Sequence, residues 1–120
     1  MHVWLGADLT AIARQVTSHA ATTSALVLAV ATVDNQNAVA ARLTYHARGH
    51  RCTRLAGLTT FGSGGRIRLI VDTDHDWTRL HGGHIDGLWL THNRLTLDHL
   101  ETLTTRAAWL ARPAPATVRP

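Results

Sequence analysis

The sequence contains no lysine, only one cysteine and no long apolar run. Positive charge therefore comes from arginine alone, whose guanidinium fork suits phosphates and carboxylates. Cys52 has no partner for an intramolecular disulfide, and we expect it to be a small buried hydrophobe. No stretch reaches the roughly 20 apolar residues of a membrane-spanning helix, and the Met1 end lacks signal-peptide features. We expect a cytoplasmic protein without a membrane partner.

The 120 residues are 45% hydrophobic, enough for one buried core and too few for two. The net charge of +4 weakly favours an anionic partner such as nucleic acid, although solubility alone also explains it. The arginine-only usage is typical of GC-rich coding sequence and suggests an actinobacterial or phage source. All three prolines lie after residue 112. We predict one domain at 1–112 and a flexible Pro-rich tail at 113–120.

Apolar periodicity predicts alternating strands and helices. Asp8 is expected to cap the first helix, Asp34 or Asn35 the second, and Asp98 and Glu101 have capping-box spacing before a third. The predicted segments are strands at 3–5, 25–33, 51–61, 66–71 and 85–90, with helices after residues 8, 35 and 98. The Gly-Ser-Gly-Gly at 62–65 predicts a hairpin. This order indicates an α/β fold with a mostly parallel sheet, flanking helices and a β-hairpin insertion.

Four segments resemble, in the same order, the ATPase core of phage terminase large subunits and, more loosely, helicases with the same nucleotide-binding fold. They are LVLAVATVDNQNAVAARL at 26–43, GSGGRIRLI at 62–70, RLHG at 79–82 and IDGLWL at 85–90. The resemblance covers roughly residues 1–92. It implies a RecA-like, P-loop NTPase-like three-layer fold, here truncated.

The chain departs from this family at the catalytic positions. A phosphate-binding loop needs glycines, a lysine and a Ser or Thr hydroxyl, but only the short segment from Gly6 to Thr10 joins the first strand and helix. Where the family has an adjacent Asp-Glu pair, this chain has Thr91 and His92. We therefore expect a catalytically inactive protein, without a cofactor, that acts by binding.

Two surfaces are candidates for that binding. Five arginines are candidates for contacting nucleic-acid phosphates, and they are Arg48, Arg51, Arg54, Arg66 and Arg68. Strict strand alternation separates Arg51 from Arg54, and scattered charges normally serve solubility, so a solvated face is the favoured interpretation. Trp77, with Arg79 and His81, is a candidate contact for a host or phage protein, because an indole in a polar connector often marks an interface.

A metal-dependent hydrolase is a third hypothesis. Imidazole and carboxylate ligands suit zinc or manganese, and the candidate ligands are His81, His84, Asp86 and His92. Their spacing fixes no coordination geometry, so structural or exposed histidines are the favoured interpretation and no metal is expected. Exposed edge strands would allow dimerisation by sheet pairing, and the sequence does not decide the oligomeric state.

Overall fold

The computed structural model describes residues 2–6, 8–55, 57–71 and 86–92, and the backbone strand at 116–118. These residues form a mixed α/β fold with two helices and one seven-stranded sheet. The elements are β1 (His2–Leu5), α1 (Leu9–Thr22), β2 (Leu26–Ala31), α2 (Gln36–Ala47), β3 (Cys52–Leu55), β4 (Leu58–Phe61), β5 (Arg66–Val71), β6 (Gly87–Leu90) and β7 (Ala116–Val118). The strand order is β3-β4-β5-β2-β6-β1-β7.

The sheet is only partly parallel. The five strands β5, β2, β6, β1 and β7 pair in parallel, whereas β3 and β4 pair antiparallel at one edge. The parallel part agrees with the fold class expected from the alternation of strands and helices. The antiparallel part corresponds to the expected hairpin insertion.

Helix α1 forms where the sequence predicts it. The carboxylate of Asp8 accepts a hydrogen bond from the backbone N–H of Ala11 at 3.1 Å, which satisfies a free donor of the first turn. Its buried stripe includes Ile12, Ala13 and Val16, at the spacing that keeps one helical face on the sheet. Helix α2 packs beside α1 and buries Val39, Leu43 and Ala47.

The predicted cap of α2 is only half correct. Asn35 stands at the N-cap position, but its side chain makes no capping hydrogen bond. The amide instead contacts the loop before it and residue 91 across the sheet edge. The Asn35 side chain therefore makes a tertiary contact in place of the helix cap that the local sequence predicts.

One strand prediction needs correction, and a segment outside the predicted strands also pairs with the sheet. The segment 51–61 is not one strand, because the chain turns near Gly57, with φ +80, and folds into β3 and β4. The predicted tail at 113–120 contains a strand, since Ala116–Val118 pairs in parallel with β1. Both differences arise from pairings that supply hydrogen-bond partners to otherwise open strand edges.

The core lies mainly between the helices and one face of the sheet. Strands β2 and β6 are buried along their whole length, as expected for central parallel strands. Trp89 on β6 is 0% exposed, and Trp4 on β1 is 3% exposed. Within the described residues, no helix is long and apolar enough to cross a membrane.

Candidate functional site

The carboxyl ends of β1, β6 and β2 lie side by side in the sheet. In open α/β sheets this edge is where ligands bind, because loops leaving neighbouring strands separate there. The residues that follow these strands include Gly6, Thr32, Asn35, Thr91 and His92. The fold therefore gathers Gly6, Thr91 and His92, which the family resemblance singled out, at one edge.

Thr91 is fully buried, at 0% exposure. Its hydroxyl donates a hydrogen bond to the carbonyl oxygen of Val30 at 2.8 Å and accepts one from the Asn35 amide at 3.1 Å. Both functions of the hydroxyl are used inside the protein. Thr91 thus joins the ends of β2 and β6 rather than presenting an oxygen to a ligand.

Asn35 is the centre of this polar cluster, which we call the Asn35 clasp (Thr32, Asn35 and Thr91). The Asn35 Oδ1 accepts hydrogen bonds from the Thr32 N–H at 2.8 Å and the Thr32 hydroxyl at 3.1 Å. The Asn35 Nδ2 donates to the Thr91 carbonyl at 3.2 Å and to its hydroxyl at 3.1 Å. Sequence reasoning missed this role because Thr91 is 56 residues away.

The turn between β1 and α1 is short. Three residues separate Leu5 at the end of β1 from Leu9 at the start of α1, whereas a phosphate-binding loop of the P-loop type spans about eight. Gly6, with φ 128, adopts a conformation that favours glycine, and its carbonyl accepts a hydrogen bond from the Trp89 indole at 3.4 Å. The turn is thereby fixed against β6.

The amino end of α1 already holds an anion. The Asp8 carboxylate accepts a hydrogen bond from the Ala11 N–H, in the position where a bound phosphate would otherwise be stabilised. Thr10 lies exposed in the first turn. One donor of the helix terminus is thus satisfied by the chain itself.

The fold separates Asp86 from His92, two of the residues proposed as alternative metal ligands. Asp86 immediately precedes β6 and His92 lies two residues beyond it, so these residues flank opposite ends of the strand. At a rise of roughly 3.3 Å per residue they are about 20 Å apart, too far to bind one ion. His81 and His84 lie outside the described residues. Within the described part of the chain, no three His, Cys, Asp or Glu side chains form a metal-binding group.

The segment that forms α2 and the antiparallel strands is rich in arginine. Residues 35–71 contain six arginines and no Asp or Glu. We call the exposed surface of α2, β3, β4 and β5 the basic lobe. Its arginines are Arg42, Arg48, Arg51, Arg54, Arg66 and Arg68, of which all but the half-buried Arg68 are exposed.

The basic lobe has two distinct faces. Strand pairing aligns Thr60 with Arg66 and Leu58 with Arg68, so both arginines project from the same face of the sheet. Arg54 aligns with Thr59 and Ile67, and Ile67 belongs to the core beneath the helices, so Arg54 projects from the other face. Arg48 follows α2 and Arg51 precedes β3. The five arginines predicted to contact nucleic acid therefore form no single flat strip.

The Gly-rich hairpin tip is packed against α1. The Ser63 hydroxyl is 3.1 Å from the Ala20 carbonyl and 2.9 Å from the Thr23 carbonyl, at the carboxyl end of that helix. A side chain on Gly65 would meet the Ala20 carbonyl oxygen at 1.7 Å. The tip therefore satisfies the end of a helix and needs glycine for close approach.

The predicted protein contacts Trp77, Arg79 and His81 lie outside the described residues. Comparison of the chain with protein-family models, curated proteins and solved structures found no match.

Proposed function

We propose that this chain is a nucleic-acid-binding protein on a scaffold like that of the terminase and helicase ATPases, and that it does not hydrolyse nucleotide. The binding surface in this proposal is the basic lobe. The observation that carries it is the run from residue 35 to residue 71, with six arginines and no acidic residue. Such charge segregation favours a polyanionic partner.

Within the basic lobe, the sheet face that carries Arg66 and Arg68 is the one best suited to contact nucleic acid. Thr53, Thr60 and Leu58 share that face by register, and no aromatic side chain lies on it within β3, β4 and β5. Arginine and threonine donate to phosphate oxygens, whereas base stacking requires aromatic rings. We therefore infer contact with the sugar-phosphate backbone and little sequence preference.

The absence of hydrolysis in this proposal is supported by the carboxyl edge of the sheet. A P-loop ATPase holds magnesium with a Ser or Thr of its loop and an Asp after the closing strand. Here the short turn is fixed to Trp89, and the Thr91 hydroxyl is engaged by Val30 and Asn35. The RecA-like assignment itself rests on the sequence resemblance, with the parallel strands and two adjacent helices as support.

Salt-dependent binding tests the nucleic-acid proposal. Fluorescence anisotropy with a labelled 20-base-pair duplex and a 20-nucleotide single strand should give affinities that fall steeply between 50 and 200 mM NaCl, roughly as expected for several neutralised phosphates. The substitution Arg66→Gln should reduce the slope of log K against log salt by about one. Arg14→Gln, an equal charge change on the exposed face of α1, should leave the slope unchanged.

Two results would refute the nucleic-acid proposal. One is equal loss of binding in the Arg66 and Arg14 variants, which would indicate only net charge. The other is no binding at low salt, in which case a protein partner becomes the better hypothesis. Calorimetric titration with ATP and magnesium tests the second half of the proposal, because micromolar binding would contradict it.

A further inference from the structure

A cavity of about 340 Å³ lies at the opposite edge of the sheet from the Asn35 clasp. It opens where β1 and β2 begin and where α1 ends. The lining residues are His2, His19, Thr23, Ser24, Ala25 and Asp86. None of them belongs to the carboxyl-edge cluster or contributes an arginine of the basic lobe.

Asp86 gives the cavity one anionic wall. Its backbone N–H donates to the Leu26 carbonyl at 2.9 Å, and its carbonyl accepts the His2 N–H at 2.9 Å. The Asp86 Oδ2 accepts the Leu26 N–H at 3.0 Å. These contacts hold the carboxylate in one position, and its other oxygen, Oδ1, forms no hydrogen bond with the described residues. Among the described residues, no donor competes with a ligand for that oxygen.

Two imidazoles form a second wall. The ring centroids of His2 and His19 are 4.6 Å apart, and the Trp4 ring packs against His19 at 5.4 Å. Burial, together with the neighbouring His2, lowers the pKa of His19, while Asp86 acts in the opposite direction. His19 is therefore neutral near pH 7, and a neutral imidazole has one nitrogen that accepts a hydrogen bond.

The surroundings favour positive charge in the ligand. Helix α1 ends here, so the negative end of its dipole lies at the cavity. Arg66 pairs with Leu26, and the register sends its side chain to the face opposite His2. Among the described residues, no arginine lines the cavity. An anion would meet the carboxylate of Asp86 there, so these residues disfavour anionic ligands.

We propose that this cavity binds a small organic cation with N–H donors, an alkylammonium or alkylguanidinium group, through Asp86 and the imidazoles of His2 and His19. A metal ion is the other cation that these side chains could attract. However, within the described residues no three potential ligands are arranged to hold one. The imidazole rings of His2 and His19 instead give a flat wall that suits a guanidinium group or the alkyl chain of an amine.

The test is a nuclear magnetic resonance titration of the full-length ¹⁵N-labelled protein at pH 7.5. The probes are butylammonium, butylguanidinium and butylurea, the last two having the same shape but different charge. We expect shifts confined to the amides of His2, His19, Ser24 and their neighbours. At least one of the two cations should bind about tenfold more tightly than butylurea, because a charge-assisted hydrogen bond is stronger than a neutral one.

Asp86→Asn is the informative variant. The asparagine oxygen still accepts the Leu26 N–H, so the fold is retained while the negative charge is lost. The affinity for the bound cation should fall about tenfold. Asp8→Asn is the matched control, since it removes one charge at the other edge of the sheet and asparagine also caps helices. Lowering the pH to 5.5 should weaken binding, because a protonated His19 repels the cation.

Three outcomes would overturn the proposal. The first is equal binding of butylurea and both cations. The second is unchanged cation affinity in Asp86→Asn. The third is micromolar binding of Zn²⁺ that is lost in the Asp86 and His19 variants, which would make the cavity a metal site.

Discussion

Gly65 provides the sharpest test of the packing between the hairpin tip and α1. A Cβ atom at this position would lie 1.7 Å from the Ala20 carbonyl oxygen, 2.6 Å from the Thr23 carbonyl oxygen and 2.7 Å from the Ala20 carbonyl carbon. All three atoms belong to the backbone, so no side-chain rotation can relieve the overlap. Gly65 is not among the positive-φ glycines, so space alone requires glycine.

The expected loss of stability follows from the contacts that Gly65→Ala would break. To accommodate Gly65→Ala, the tip has to move away from α1, which breaks the two Ser63 contacts with the Ala20 and Thr23 carbonyls. The single hydroxyl proton is shared between the two carbonyl oxygens, so its hydrogen bonding contributes about 1 kcal/mol. Residual overpacking adds about 1–3 kcal/mol. We expect the free energy of unfolding to fall by about 2–4 kcal/mol.

Two glycines of the same turn serve as controls. At Gly62 the nearest atoms are 3.9 Å from a Cβ, so Gly62→Ala should change the stability by less than about 0.5 kcal/mol. Gly64 has φ +91, and a Cβ there would meet only the Ser24 Cβ, at an ordinary contact distance of 3.9 Å, so Gly64→Ala should cost about 1–2 kcal/mol through backbone strain alone. Urea denaturation followed by circular dichroism measures the series. Equal midpoints for the Gly62 and Gly65 variants would refute the packing argument.

Three further predictions follow from the described contacts. Asn35→Ala should lower the free energy of unfolding by about 2–4 kcal/mol, because it leaves buried groups of Thr32 and Thr91 unsatisfied. In the same urea assay Asn35→Asp should be at least as destabilising, because it sets a carboxylate oxygen against the Thr91 carbonyl and hydroxyl oxygens. The lowered pKa of His19 means that the unfolded chain binds more protons just below pH 6.5, so thermal stability should fall as the pH drops through that window. His19→Gln should flatten this dependence, and an equally steep profile in the variant would contradict it. In the anisotropy assay, Arg66→Gln should reduce the salt slope by about one while Arg14→Gln does not.

The parts of the fold that the sequence predicted are those with local signals. The unbroken apolar run of β2, the Asp8 cap and the buried stripe of α1 depend on residues close together in the chain. The split of 51–61 into β3 and β4 was missed although Gly57 marks the turn. The Gly-rich segment at 62–65 is the stronger turn signal, so the weaker signal at Gly57 was not recognised as a turn. The strand in the predicted tail depends on an edge of β1 that no local pattern reveals.

The sequence predicted less of the candidate sites than of the fold. The position of Gly6 beside the end of β6 follows from the parallel order, and the family resemblance had already drawn attention to these residues. Asn35, Ser63 and the pair His2 and His19 were missed as site residues, because each acts on groups distant in the sequence. A simple topological rule would have found the last pair. In a strand-helix-strand unit, the start of the strand and the end of the helix lie at the same edge of the sheet.

The hydrogen bonds of Thr91 show that its side chain belongs to the protein's own structure at the carboxyl edge of the sheet. Its hydroxyl donates to the Val30 carbonyl at 2.8 Å, so an aspartate there would set a carboxylate oxygen against another acceptor. Among the described residues, the Asn35 amide would be the one donor left to this carboxylate, in a position with 0% exposure. Threonine at 91 and asparagine at 35 are therefore mutually dependent, and either one alone leaves a buried group without its partner. Under the proposed function, the absence of the metal-binding acid and the presence of the Asn35 clasp have the same structural cause. Ligands then bind at the basic lobe and at the amino edge of the sheet.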